Sequence, residues 1–315
     1  MVCVLPFFHG FGLGVCLHPV LAGGGRCILL PRFNTKDFAR VIKRERPTYI
    51  AGVPTLYRGM LTNPALAKAE LSFLKGAYCG GDTTPVKLRQ EFRNFVKARG
   101  GNVVLQEGYG LTETVTACTV MPPGEERQGS VGPPLPGMRI KIVIPGTETA
   151  LPPGQEGEIC ISGPTVMLGY SRGDETAQVL REHGDGLWLH TGDLGLIDEQ
   201  GYLYFRQRIK RVIKRAGYSV YPSQIEEVLL THPKVQQACV IGLPDTTQGQ
   251  KIKAFVVSKG PGKNQHLVEE LMAYLAKRLV KWSLPQELEL CDQLPLTHLG
   301  KIAYACLEEV SCRQP

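Results

Sequence analysis

The sequence predicts an α/β protein in three parts. A parallel sheet with covering helices is followed by a smaller all-β part, expected to be a small distorted barrel, and then by a small α+β C-terminal unit. Three observations carry this prediction. Strand-length apolar runs alternate with helix-period segments from Val2 to Leu105, the pattern of a parallel sheet. From Gly129 onward, short strands punctuated by Gly and Pro replace that alternation. Beyond the basic run Arg206 to Arg215 come a helix with a capping signature, two strands and one long amphipathic helix.

Taken in order, Val2 to Pro6 and Arg26 to Pro31 read as strands. Thr35 to Arg46 is a helix with Phe38, Val41 and Ile42 on one face. Tyr49 to Val53 is a strand, and Pro54 opens the next helix. Leu74 to Cys79 is a strand ending in Gly80-Gly81-Asp82. Thr84-Pro85 caps and opens a helix whose Leu88, Phe92 and Phe95 share a face. Val103 to Leu105 is the next strand. Ligands of parallel sheets gather at the carboxyl ends of the strands. His9, Gly80-Gly81 and Tyr109-Gly110 all fall at such ends and are expected to share one crevice.

In the β part the strands are Arg139 to Ile144, Gly157 to Ser162, Leu187 to His190 and Tyr202 to Phe205. Arg206 to Arg215 holds six basic residues and no acid, the composition of a solvated linker. Ser223 and Glu226 then form a capping box for a helix carrying Ile225, Val228 and Leu229. Strands Ala238 to Leu243 and Ile252 to Ser258 follow. A helix from His266 to Lys281 turns Leu267, Leu271, Tyr274, Leu275 and Leu279 inward. The tail presents Lys301 on a Gly-containing loop.

Composition bounds the function. With 315 residues, 43% hydrophobic and 21% charged, the chain is of ordinary globular make-up and long enough for two domains. The net charge of +7 is spread over both halves, which argues against a nucleic-acid domain and suits small phosphorylated ligands. The ten cysteines show no Cys-x-x-Cys pair, so reduced thiols in a cytoplasmic protein are expected, without disulfides or zinc. Met1 to Gly25 carries no charge, but it lacks a basic leader and is cut by prolines and glycines, so a buried strand and loop are expected there.

The most suggestive stretch is Gln106-Glu-Gly-Tyr-Gly-Leu-Thr-Glu-Thr114. It offers an aromatic ring, a hydroxyl and a carboxylate on a Gly-lined turn. That set suits a nucleotide phosphate with its Mg²⁺, and it also suits the plain start of a helix. Further motifs follow in order: Trp188-Leu-His-Thr-Gly-Asp193, Gly201-Tyr-Leu-Tyr-Phe-Arg-Gln-Arg208, Gly217-Tyr-Ser-Val-Tyr-Pro-Ser-Gln-Ile-Glu226 and Pro295-Leu-Thr-His-Leu-Gly-Lys301. Five motifs in this order, spread over the whole chain, resemble the adenylate-forming superfamily of acyl-CoA synthetases, peptide-synthetase adenylation domains and firefly luciferase.

The resemblance implies a two-step ligase using ATP, Mg²⁺ and CoA. Residues 1–208 would be the remainder of the AMP-binding large domain, with an α/β subdomain over 1–128 and a β subdomain over 129–208. Residues 209–315 would be the mobile C-terminal domain. Tyr109 would stack on adenine, with Gly80, Gly81 and Gly110 letting backbone approach the nucleotide. Thr112 would hold a phosphate oxygen and Glu113 would ligate Mg²⁺. Asp193 would accept both ribose hydroxyls, and Arg208 would add a ribose contact. His9 would sit beside the acyl carboxylate, or be a core histidine bonded to backbone. Lys301 would be the catalytic ammonium and Lys210 the hinge. Gly217 would line the pantetheine tunnel, with Lys214 and its neighbours Arg211 and Arg215 either meeting CoA phosphates or forming a solvated face.

Departures accompany the likeness. Tyr304 stands where the superfamily usually has Arg, and Gln207 where it has Gly. The Ser/Thr/Gly-rich phosphate loop, expected upstream of His9, does not occur in these residues. The implied protein is the C-terminal part of a fatty-acid–CoA ligase-like enzyme. Ligation of another carboxylate, aryl or carrier-bound, and a non-catalytic nucleotide- or acyl-binding role stay open, as does peripheral membrane contact.

Overall fold

The computed structural model describes residues 1–31, 33–82, 84–260, 265–297 and 301–313. They form two compact units, Met1–Phe205 and Arg206–Pro315.

In the first unit the elements are β1 (Val2–Cys3), α1 (His18–Ala22), β2 (Ile28–Leu29), α2 (Thr35–Glu45), β3 (Tyr49–Gly52), α3 (Pro54–Leu61), β4 (Gly76–Cys79), α4 (Val86–Lys97), β5 (Leu105–Tyr109) and β6 (Thr119–Val120). The strands form one sheet in the order β2-β1-β3-β4-β5-β6. Every pairing is parallel except the last. Alternation along the strands divides the core. Val2, Ile50, Ala77 and Leu105 face α2, α3 and α4, meeting Phe38, Ile42, Tyr57, Met60 and Phe92. Cys3, Ala51 and Tyr78 face the other way, against Phe11 and Cys16 of the segment after β1.

Two local expectations change here. The residues Gln106 to Tyr109, expected as a turn, are the body of β5. Gln106 is a buried polar residue whose Nε2 donates to the carbonyls of Met121 (3.1 Å) and Pro122 (2.6 Å), so burial leaves it satisfied. Thr84 does not cap α4, whose N-cap is Pro85; its amide instead donates to Glu107.

A second sheet follows, built from β7 (Arg139–Val143), β8 (Gly157–Ser162), β9 (Leu180–His183), β10 (Gly186–Ile197) and β11 (Leu203–Arg208), with the short α5 (Thr176–Val179) before β9. The order is β11-β10-β8-β7, with β9 on β10. The pairings of β10 with β8 and β9, and of β7 with β8, are antiparallel. Strand β10 is far longer than Leu187 to His190, because it continues through an irregularity that carries Asp193.

In the second unit β12 (Ile213–Arg215), β13 (Tyr218–Val220), β14 (Val235–Asp245), β15 (Gly249–Ser258) and β16 (Glu287–Cys291) form a mixed sheet in the order β13-β12-β15-β14, with β16 parallel to β15. Both faces are covered. Ala238 and Val240 face α6 (Pro222–Thr231) and α7 (Gln265–Ala276), while Cys239, Ile241 and Leu243 meet Leu307 of α8 (Tyr304–Arg313).

The run Arg206 to Arg215 is therefore not a linker: it holds the end of β11, a short helical turn and β12, with Ile213 in the core. The capping box is not formed. Pro222 opens α6 at its first turn, Ser223 donates to Gln207, and Glu226 accepts from Arg211 and from the amide of Val240. Helix α7 stops at Ala276, short of Lys281. Tyr274 is half-buried at its edge, with its ring against His232. The cysteines from Cys3 to Cys306 are free thiols. Among the described residues no helix is long and apolar enough to cross a membrane.

Candidate functional site

The loop between β5 and β6 carries Thr112 and Glu113 on a single helical turn, Thr112–Thr114. Thr114 holds that turn, its hydroxyl bonded at both the amide and the carbonyl of Leu111. Val115 and Thr116 follow with φ of 51° and 117°, conformations that side-chain-bearing residues rarely take. The loop closes back on the strand through the Cys118 amide on the Tyr109 carbonyl at 2.8 Å. Thr112 is exposed, and Glu113 is half-buried with the hydroxyl of Tyr170 donating to its Oε1 at 2.8 Å.

Asp193 reaches this loop from the second sheet. Between His190 and Leu194 the register of β10 against β8 slips, so Thr191, Gly192 and Asp193 stand opposite Ile159 alone. Such a bulge turns a side chain out of the ladder. Thr191 pins it, donating to the Ile159 carbonyl (2.7 Å) and accepting from the Asp193 amide (3.1 Å). The result is a hydrogen bond from the Tyr109 hydroxyl to Asp193 Oδ2 at 2.8 Å, in a place where both residues are buried. Burial and the facing carboxylate push the Tyr109 hydroxyl well above its ordinary pKa, so it stays a donor. The Tyr109 ring stacks on Phe205, centroids 5.6 Å apart, and belongs to the core cluster of Cys118, Ile159 and Leu203.

Behind the bulge lies a buried polar chain. Glu158 accepts from the Gly192 amide at 3.1 Å, His190 Nδ1 lies 3.1 Å from Glu158 Oε2, and His183 Nε2 lies 3.0 Å from His190 Nε2. Burial would raise the Glu158 carboxyl, but His190 and the amides of Gly146 and Gly192 outweigh it and hold the carboxyl below the usual range. A depressed carboxylate adds stability above the unfolded value and loses it as pH falls through the folded one. Native protein and Glu158→Gln are therefore expected to differ in unfolding free energy above about pH 5 and to converge in acid, as denaturant titrations across pH would measure.

His9 sits at the carboxyl end of β1. It is half-buried, and its Nδ1 accepts the Phe11 amide at 3.1 Å, so the neutral ring carries its proton on Nε2. The turn it starts is pressed against the strained loop: a methyl on Gly10 would lie 2.7 Å from Thr116 Oγ1. Gly80 and Gly81 follow β4, and Gly80 has Phe11 and the Gly108 carbonyl as neighbours. Glu107, at the middle of β5, anchors this corner by pairing with Arg89 at 2.6 Å and accepting the Thr84 amide. The first unit thus gathers His9, Gly80, Tyr109, Gly110, Thr112, Glu113 and Asp193 around one end of its sheet.

Arg208, Lys210, Lys214, Gly217 and Lys301 belong to the second unit. Arg208 and Lys210 are exposed. Gly217 and Ala216 both take φ above zero and form the two-residue tip of the β12–β13 hairpin, the turn that such a tight reversal requires. Lys214 is exposed, with its ammonium on Ser219 at 2.7 Å. Arg211 and Arg215, offered above to CoA phosphates, are committed elsewhere. Arg211 pairs with Glu226 at 2.7 Å beneath the Tyr304 ring, and Arg215 donates to Gln248 and to the carbonyls of Trp282 and Leu284. Tyr304 thus covers Arg211 where the superfamily has a second cation. The Lys301 amide donates to Thr297 Oγ1, and the Thr297 amide to the Lys301 carbonyl at 2.7 Å. Residues 298–300 of that loop lie outside the described residues.

Five contributors were not singled out from the sequence. Tyr170 stands 57 residues from the Glu113 it holds, and no spacing signals that contact. Glu158 and His183 lie in strands where they read as ladder residues. Tyr218 and Trp282 form an exposed stacked pair, centroids 5.1 Å apart, beside the turn of the hairpin that carries Gly217.

Comparison with known proteins bears on this arrangement. Residues 1–171 match the AMP-binding enzyme family, and residues 224–301 match the AMP-binding enzyme C-terminal domain. A long-chain-fatty-acid–CoA ligase of Bacillus subtilis is 39% identical over 302 residues, covering 95% of this chain and 52% of that protein. A feruloyl-CoA synthase of Amycolatopsis is 36% identical over 300 residues, covering 94% of this chain and 58% of that protein. The chain spans about half the length of the curated relatives it matches. Among solved structures, ATP-bound MatB from Rhodopseudomonas palustris aligns with a TM-score of 0.88 at 32% identity, over 99% of this chain and 60% of that one. The o-succinylbenzoate CoA synthetase of Bacillus subtilis, in complex with its acyl-adenylate, aligns at 0.81 and 31% identity, over 98% of this chain and 60% of that one.

Proposed function

Because the chain belongs to the AMP-binding enzyme family, we propose that it carries the nucleotide wall and the catalytic lysine of an ATP-dependent acid–CoA ligase. The observation that carries this reading is the 2.8 Å bond between Tyr109 and Asp193, which joins two motifs 84 residues apart in one buried corner. In the proposed reaction a carboxylate oxygen attacks the α-phosphorus and pyrophosphate leaves. The CoA thiolate then attacks the acyl carbon and AMP leaves with the bonding pair.

Asp193 binds the ribose hydroxyls, with Arg208 as a second contact. Tyr109 takes adenine at its ring and keeps Asp193 oriented through its hydroxyl. Thr112 holds a phosphate oxygen. Glu113 fits Mg²⁺: it is a hard oxygen donor, already oriented by Tyr170 and adjacent to the exposed Thr112 hydroxyl, and Mg²⁺ typically takes one or two carboxylates with phosphates and water. The ion supplies charge neutralisation at the phosphates when bound. His9, with its proton on Nε2, donates to the acyl carboxylate. Lys301 brings a positive charge to the α-phosphate as charge builds there. Lys210 is the pivot on which the second unit exchanges Lys301 for Gly217.

The carboxylate we propose is a fatty acid. A 39% identical relative is named a long-chain-fatty-acid–CoA ligase, and a feruloyl-CoA synthase is the aryl competitor at 36%. The test is trapping of acyl-adenylate as hydroxamate, across fatty acids of increasing length, ferulate and coumarate, with thioester formation from supplied acyl-adenylate and CoA run in parallel. Fatty acyl turnover in either assay supports the reading. AMP binding with neither step, for any acid, overturns it in favour of a non-catalytic nucleotide-binding protein.

For CoA, the exposed Tyr218–Trp282 stack beside Gly217 and Lys214 offers an aromatic platform next to a cation, as an adenine nucleotide needs. Base stacking on an aromatic side chain contributes about 1–3 kcal/mol. Trp282→Ala is expected to raise the KM for CoA roughly tenfold while hydroxamate formation stays unchanged.

A further inference from the structure

The polar chain behind the Thr-Gly-Asp bulge has a direction. Glu158 accepts the Gly192 amide on Oε1 and faces His190 Nδ1 with Oε2, at 3.1 Å each. An ionised carboxylate can only accept, so the His190 proton must sit on Nδ1. His190 Nε2 is then an acceptor, and the 3.0 Å contact requires His183 to donate from Nε2. His183 Nδ1 is left as a bare lone pair, and it is a buried atom with no hydrogen-bond partner among the described residues. Both histidine tautomers follow from one carboxylate. An unfilled acceptor at the end of the chain is the arrangement that leaves no buried proton unpaired.

This polar chain ends on the amide immediately before Asp193, whose carboxylate takes the Tyr109 hydroxyl. Thr191 restrains the same bulge by bonding the Ile159 carbonyl and the Asp193 amide. Gly192 within it has φ of 69° and, among the described residues, nothing within 4 Å of where a Cβ would stand, so its hydrogen bond to Glu158 is the contact that restrains this residue.

We propose that Glu158, His190 and His183 are positioning residues that set the Asp193 carboxylate for a ribose diol. The inference rests on the ribose reading of Asp193 and extends it to residues that touch no substrate. A carboxylate that must meet two hydroxyls at once tolerates little rotation, so loosening the bulge costs the second hydroxyl contact before it costs nucleotide binding as a whole.

The test is the ratio of affinities for AMP and 2′-deoxy-AMP, by calorimetry on this chain, with folding checked by thermal melting. The native ratio is expected to be roughly tenfold or more, the size of one hydrogen bond to a charged group. Asp193→Ala should bring it to about one, and a native ratio in that variant would overturn the ribose reading itself. Glu158→Gln and His190→Leu should lose most of the ratio. His190→Asn, whose amide can still donate to Glu158, should keep it. If Asp193→Ala loses the ratio while folded Glu158→Gln and His190→Leu retain it, the ribose reading stands and the positioning chain falls. It falls equally if His190→Leu and His190→Asn behave alike.

Discussion

Gly110→Ala is expected to destabilise the first unit by about 3 kcal/mol or more, roughly 10 °C in its melting midpoint for a domain of this size. A Cβ on Gly110 would stand 1.3 Å from the Thr116 carbonyl oxygen and 2.9 Å from the Ala117 Cα. Backbone cannot step aside as a flexible side chain can. Thr116 is held by its amide on the Leu111 carbonyl at 3.0 Å, and the chain on either side is tied by the Val115 and Cys118 amides. It is also already in a rarely populated conformation. Gly80→Ala is the control: there a Cβ would meet Phe11 at 3.5 Å and the Gly108 carbonyl at 3.6 Å, ordinary contact distances. Thermal and urea unfolding of both variants measures the contrast. Equal stability of the two would mean that the loop after β5 rearranges freely, and the close-packed corner described above would be wrong.

Lys301→Ala is expected to lower acyl-adenylate formation about a thousandfold, the upper range for losing one preorganised electrostatic donor, and to leave thioester formation from supplied acyl-adenylate within about threefold. The substitution removes the ammonium and leaves the backbone groups of residue 301 in place. Two hydrogen bonds at the loop base use the Lys301 backbone, and the pairing of Leu296 with Ile302 is also main-chain. A selective loss would therefore report charge rather than unfolding. Separate assays of the two steps decide it. Equal loss in both would refute the assignment of Lys301 to the first step alone.

Much of the fold could be read in advance where local pattern and tertiary use agree. Gly157 to Ser162 is a strand by its pattern and is β8 in the structure. Thr35 to Glu45 carries its apolar face at helical spacing, with Phe38 and Ile42 in the core. The failures share a cause: polar residues whose partners lie far away in sequence. Gln106 and Glu107 made β5 look like a turn, because the groups that satisfy them come from residues 84, 89, 121 and 122. Ser223 and Glu226 looked like a cap, but are used by Gln207, Arg211 and the Val240 amide. The basic stretch before β13 looked solvated because charge hid the apolar Ile213 that anchors it.

The candidate site divides the same way. Tyr109, Glu113, Asp193 and Lys301 stand out in the sequence because they sit in dense motifs. That Tyr109 bonds Asp193, or that Tyr170 holds Glu113, is a property of the folded chain, since each pair is separated by dozens of residues. Glu158 was legible as a strand residue only. Its use by His190 and Gly192 depends on a bulge that no local pattern announces.

The central claim is that the corner formed by Tyr109 and Asp193 receives the nucleoside of AMP. A crystal of the chain soaked with AMP tests it most directly. The account predicts ribose O2′ and O3′ both within hydrogen-bond distance of the Asp193 carboxylate, with the base against Tyr109 and the Gly80-Gly81 backbone. AMP bound elsewhere, or a saturated soak that leaves this corner without nucleotide density, would contradict it.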